Sequence, residues 1–138
     1  MPRFGRRSKS RLKGVNPKLV NVLNEAIKIY DFTIIEGLRT KRRQKELYDQ
    51  GKTKVMHSRH MDGLAVDIAP YPVNFEDIKR FFYLAGIIKV VGMRLGADIR
   101  WGGDWNKDQV FTSRGLANKT GTDSSQNFND YVHFEIKP

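Results

Sequence analysis

Cysteine is absent from this 138-residue chain. That absence excludes disulfides, thiolate metal sites and cysteine nucleophiles together, so any metal must be held by histidine, aspartate or glutamate. No stretch approaches the ~18–20 apolar residues of a membrane-spanning helix. The early bases Arg3, Arg6 and Arg7 have no apolar segment after them, so no secretory signal is expected. Acids are missing from the first thirteen residues, where six bases fall: Arg3, Arg6, Arg7, Lys9, Arg11 and Lys13. Internal repeats and low-complexity linkers are also lacking. Histidine occurs only at His57, His60 and His133.

What is present suits a folded chain. Hydrophobic residues make up 39%, too many for disorder. The length suits one domain over 1–138, with a basic segment at 1–15. The net charge of +10 asks for an anionic partner. Nucleic acid, an acidic envelope surface and plain solvation all remain open, and Lys41-Arg42-Arg43-Gln44-Lys45 is a second basic cluster.

Asn16-Pro17 reads as a cap and first helical residue, and Leu19, Leu23 and Ile27 recur at helical spacing, giving a helix over 17–30. Phe32 to Glu36 is a β-branched strand. Thr40 caps a helix through Gln50, stopped at Gly51. Residues 52–59 form a loop and 64–69 a strand, stopped by Pro70 and Pro72. Asn74 caps the longest helix, which ends near Leu95 before Gly96. Residues 99–101 and 131–136 are strands. Between them, 103–129 shows no periodicity, and a loop of that length is often functional. The sum is an α+β domain, with about three helices packed on a small, mostly antiparallel sheet.

Strand alternation singles out a group of polar residues. Ala65, Asp67 and Ala69 share one face, while Leu64, Val66 and Ile68 enter the core. On the last strand, Tyr131, His133 and Glu135 lie opposite Val132, Phe134 and Ile136. A carboxylate inside an apolar strand must be paired, hydrogen-bonded or metal-bound. An arginine partner for Asp67 and a hydrogen-bonded role for His133 stay open beside a His60/Asp67/His133 zinc site. Three N/O ligands would leave a fourth tetrahedral position open, as in catalytic zinc. Asp130, three residues before His133, reaches that site only from the turn before pairing starts. There it can act as a proton carrier, or simply as a turn former after Asn129.

The combined motifs carry a resemblance. "SRHMDGLAVD" resembles the S-x-H-x-x-G-x-A-x-D motif of zinc peptidases related to D-Ala-D-Ala carboxypeptidases, and "DYVHFE" resembles their closing D/E-x-x-H block. "GLRTKRRQKELYDQG" is similar to their G-x-R-[ST]-x-x-x-Q-x-x-L-[YF]-x-x-G segment, and "WGGDW" to a further one. The opening "FGRRSKSRLKGVNPKLVNVLNEAI" is similar to the start of small phage endolysins that cleave the L-alanyl-D-glutamate bond of peptidoglycan.

The resemblance implies a Hedgehog/D-Ala-D-Ala-peptidase-like fold and one catalytic Zn2+ on His60, Asp67 and His133. It implies Asp130 as general acid/base and Arg39 steadying the oxyanion. Ser58 would support the ligands or bind substrate, and Gln44, Leu47 and Tyr48 would pack. Arg59 departs from the Trp or Tyr of many relatives. The function implied is host lysis by hydrolysis of the wall's stem peptide. The enzyme would be made in the cytoplasm, act as a monomer on an anionic envelope, reach the wall through a separate membrane lesion and need no nucleic acid. Two alternatives remain: a D-Ala-D-Ala carboxypeptidase or dipeptidase with the same zinc site, and a basic nucleic-acid-binding protein using the two charge clusters.

One further pattern lies in the long loop. Asp104, Asn106 and Asp108 repeat the opening of an EF-hand calcium loop, although Gln109 and Gly115 break the pattern later. A Ca2+ site there would order the approach to Asp130. The alternative is an ordinary polar loop with Asp104 close to the zinc site.

Overall fold

Four α-helices and one four-stranded sheet make up the described part of the chain, residues 2–104, 107 and 130–138 of the computed structural model. Of the loop expected over 103–129, only Gly103, Asp104 and Lys107 are described.

The basic opening segment is more ordered than its charge suggested. Arg6–Arg11, within the basic segment 1–15, forms helix α1, a fourth helix beyond the three expected. Phe4, Leu12 and Val15 are buried around it, and Phe4 meets Phe32 edge-on at 5.4 Å. The reason is an edge strand that needs partners. Strand β1, Phe32–Glu36, lies at the end of the sheet. Ser8 Oγ accepts the Ile34 N–H at 3.1 Å, and Arg11 donates to the Ile34 carbonyl at 2.8 Å.

Helix α2, Pro17–Ile27, starts where the cap places it, with Asn16 Oδ1 accepting from the Lys18 and Leu19 amides. It ends before the expected residue 30, in a turn through Lys28 to Tyr30. Leu19, Val22, Leu23 and Ala26 are fully buried, each large one worth roughly 1.5–3 kcal/mol. Helix α3, Lys41–Asp49, is capped by Thr40, whose Oγ1 accepts from Arg43 N. Helix α4, Ile78–Arg94, begins later than the Asn74 start expected. Asn74 Oδ1 takes the Glu76 amide in a preceding turn instead.

Strands β2 (Ala65–Pro70), β3 (Asp98–Trp101) and β4 (His133–Lys137) complete a sheet of order β1-β2-β4-β3 with every pairing antiparallel. Val66, Ile68, Ile99, Phe134 and Ile136 join α2 and α4 in the core. Two details differ from simple alternation. Ala65 and Ala69 are fully buried although they share the face of Asp67, and Ala69's partner Thr33 lies against Ser8 of α1. Tyr131 stands in a turn before β4 and packs towards Phe82 and Trp101, off the face of His133 and Glu135.

Candidate metal centre and cleft

Register builds the site. Asp67 on β2 is the direct partner of His133 on β4, and Glu36 on β1 faces Asp67 from the other side. Glu36 reaches that row through a bulge: pairing shifts between Ile34 and Glu36, so one extra residue turns the carboxylate onto Asp67's face. One step along, Ala65, Glu135 and Arg100 form a second row across β2, β4 and β3.

His60 comes from outside the sheet. Arg59–Asp62 forms a 3-10 turn, in a region without an expected element, and Ser58 caps it by accepting the His60 amide at 3.1 Å. His60 Nδ1 faces the Gly37 carbonyl at 3.0 Å. A carbonyl only accepts, so Nδ1 carries the proton and Nε2 faces Asp67 Oδ1 at 3.2 Å. Gly37 is needed there, because a Cβ would lie 2.0 Å from the Arg11 carbonyl oxygen.

His133 is arranged in the opposite sense. Its Nε2 lies 2.8 Å from Glu135 Oε1 and its Nδ1 lies 3.4 Å from Asp67 Oδ1. The rings of His60 and His133 are 5.1 Å apart. Each histidine therefore has one nitrogen engaged by an outer acceptor and the other turned to Asp67, the usual way a protein orients metal-binding imidazoles. One donor atom from each of His60, Asp67 and His133 lies within 4.8 Å of the others. These residues fit a zinc-like ion. His57 is outside the group and exposed, paired with Asp62 at 2.9 Å.

Protonation reflects the crowding. Burial works to raise the Asp67 pKa, but hydrogen bonds from His133 and His60 outweigh it and hold the carboxylate well below its usual range. Burial disfavours charge on His133, yet Asp67 and Glu135 raise its pKa to about 9 in the metal-free chain. Asp130 is raised, first by burial and then by the charge of Asp67. Its place is set by backbone: Asp130 N donates to Gly102 O at 2.9 Å, and Gly102 N to His133 O at 2.8 Å. A Cβ on Gly102 would lie 2.1 Å from the Asp130 carbonyl oxygen.

Arg39 is nearly buried. Its Nε and Nη2 bind Glu36, Nη1 donates to Gln44 Oε1 at 2.8 Å, and Nη2 stands 3.8 Å from Asp67 Oδ2. Gln44 is fully buried and donates onward to the Val55 carbonyl at 2.8 Å, so it fixes the guanidinium as well as packing. Glu135 carries no motif role, yet it ties three groups of the cleft together. Its Oε2 accepts from Arg100 Nη2 at 2.7 Å and forms an ion pair with Arg59 Nε at 2.8 Å. Burial opposes its charge, but His133 and Arg100 lower its pKa. The alternation that placed Glu135 beside His133 was the available signal.

The cleft over this row has a volume of about 750 Å³, and Arg39, Ser58, Arg59, His60, Asp130 and His133 are among the residues that line it. Asp104 instead lines a separate cavity of about 380 Å³ with Phe82, Lys89 and Trp101. Asn106 and Asp108, the other residues of the calcium pattern, lie outside the described residues. Among the described residues no helix is long and apolar enough to cross a membrane.

Comparison with known proteins agrees with this architecture. The chain is 32% identical over 112 residues to the L-alanyl-D-glutamate peptidase of Escherichia phage T5, covering 75% of this chain and 82% of that protein. The crystal structure of the Serratia marcescens L-Ala D-Glu endopeptidase ChiX superposes with a TM-score of 0.75 at 28% identity, over 98% of this chain and 90% of that one. The family model described as phage L-alanyl-D-glutamate peptidase matches residues 1–135, and the chain belongs to that family.

Proposed function

We propose that this protein is a zinc-dependent endolysin that hydrolyses the bond between L-alanine and D-glutamate in the peptidoglycan stem peptide. The observation that carries the reading is the convergence of His60, Asp67, His133 and Asp130 on one cleft. Zinc held by His60, Asp67 and His133 would supply Lewis acidity to the attacking water and the scissile carbonyl.

The other steps belong to the chain. Asp130 takes the proton of the attacking water on its carboxylate and passes it to the departing amine nitrogen. Its raised pKa suits that exchange, since a carboxylate nearer neutrality both accepts and returns a proton. Arg39 keeps one hydrogen on each Nη beyond those given to Glu36 and Gln44, and these can steady the developing oxyanion. Ser58 supports the site by capping the turn that presents His60.

The positive surface fits an anionic envelope, and a wall substrate asks for delivery across the membrane through a separate lesion. The test is digestion of purified peptidoglycan, with product termini identified by mass spectrometry. New carboxyl-terminal L-alanine and amino-terminal D-glutamate are expected. Release of D-alanine alone would overturn the assignment.

A further inference from the structure

The substrate proposed above brings a charge into the cleft, and this inference rests on that reading. Whichever carboxyl group of the D-glutamyl residue continues the chain, the other remains as a carboxylate within a few bonds of the scissile nitrogen. The cleft already holds Glu36, Asp67, Asp130 and Glu135. A further carboxylate enters only if a cation receives it.

The cations that line the cleft, Arg39, Lys52, Lys54, Arg59 and Arg100, are not equivalent. Arg100 gives a terminal nitrogen, Nη2, to Glu135 Oε2 at 2.7 Å, so its fork is already engaged. Arg39 is nearly buried, and its donors are committed to Glu36, Gln44 and the developing oxyanion. Lys52 and Lys54 are exposed, and among the described residues no carboxylate holds either in place. Arg59 is both fixed and open. Its Nε is held by Glu135 Oε2 at 2.8 Å, its side chain is 42% exposed, and it lines the cleft. Both Nη groups remain as donors, and a planar guanidinium suits a carboxylate better than a mobile ammonium does. Its position is also locked to the metal cluster. Arg59 precedes His60 in the same 3-10 turn, and Glu135 joins it to His133 through a 2.8 Å contact on its other oxygen.

We propose that Arg59 receives the free carboxylate of the D-glutamyl residue and sets a preference for an acidic residue after the scissile bond. The contact is one charge-assisted pair at a half-exposed site, so it should favour the acid by about ten- to a hundredfold.

The test uses two synthetic peptides that differ at one group: L-alanine joined to D-glutamate with its free carboxylate, or with that carboxylate as a carboxamide. The ratio of kcat/KM, acid over amide, is measured for the zinc-loaded wild type, Arg59→Met and Arg59→Gln. Arg59→Gln retains a donor for Glu135 and removes the charge. Because the ratio is taken within each protein, differences in active fraction cancel. The expected ratio is about ten or more in the wild type and near one in either folded variant. A wild-type ratio near one, or a ratio unchanged in a folded variant, overturns the role of Arg59. If the wild type cleaves neither peptide at the L-alanyl-D-glutamyl bond, the proposed function falls, and this inference falls with it.

Discussion

Asp67 and His133 face each other directly across neighbouring antiparallel strands, with His133 Nδ1 3.4 Å from Asp67 Oδ1. Two of the three proposed ligands come from one sheet register and are rigidly spaced, and only His60 has to be delivered by a turn. Metal content should therefore follow these three residues alone. Replacing His60, Asp67 or His133 with Ala should abolish stoichiometric zinc, whereas His57→Ala should retain it, as read by elemental analysis. Zinc loss in the His57 variant would mean that the ligand set is wrong.

If His133 is a ligand, its proton would compete with the metal. Its folded pKa of about 9 lies above the ordinary 6.5, so its charged form contributes stability to the metal-free protein that is full below about pH 6.5. That contribution is lost as pH rises through 9. Zinc must displace the same proton, so affinity should rise roughly tenfold per pH unit across that window. Chelator competition between pH 6 and 9.5 measures it; a flat profile would refute the coupling.

Asp130→Asn should separate chemistry from stability. Zinc content should persist while turnover falls by ~10²–10⁴-fold, the usual worth of a general acid/base. Because the Asp130 pKa is raised on folding, its ionised form is disfavoured in the folded chain at neutral pH. The metal-free variant should therefore melt at a higher temperature than the metal-free wild type. Near-wild-type hydrolysis at matched zinc occupancy would remove Asp130 from the mechanism.

Gly102 tests how Asp130 is positioned. In Gly102→Ala the new methyl would collide with the Asp130 carbonyl, 2.1 Å away. Forced shifts of this kind cost about 1–3 kcal/mol. A lower Tm and at least a tenfold loss of turnover with zinc retained are expected. Unchanged turnover would show that Asp130 does not depend on this approach.

Ser8→Ala tests the union of the basic segment with the sheet. It leaves the buried Ile34 amide without its acceptor, at a cost of about 1–3 kcal/mol. Chemical denaturation that gives the wild-type midpoint would contradict that role.

Much of this site follows from strand alternation. Period-two spacing put Asp67 and His133 on non-core faces, and the odd offset of Asp130 required the turn in which it lies. What sequence could not supply was register. The bulge that turns Glu36 towards Asp67 depends on where one unpaired residue sits. The sharing of Glu135 between Arg100 and Arg59 depends on how β3 aligns with β4 and on where the turn Arg59–Asp62 sits. Helix α1 was hidden for another reason. Phe4, Leu12 and Val15 signalled burial, but the surrounding bases dominated the pattern, and the need for a partner arises only once β1 is known to be an edge.

Zinc dependence and bond specificity are tested together by zinc titration of the metal-stripped protein, with hydrolysis of purified peptidoglycan followed and its products identified. No turnover is expected without metal, then a linear rise that stops at one zinc per chain, with carboxyl-terminal L-alanine in the products. Full hydrolysis by the stripped protein, or D-alanine as the released product, would contradict the proposed function.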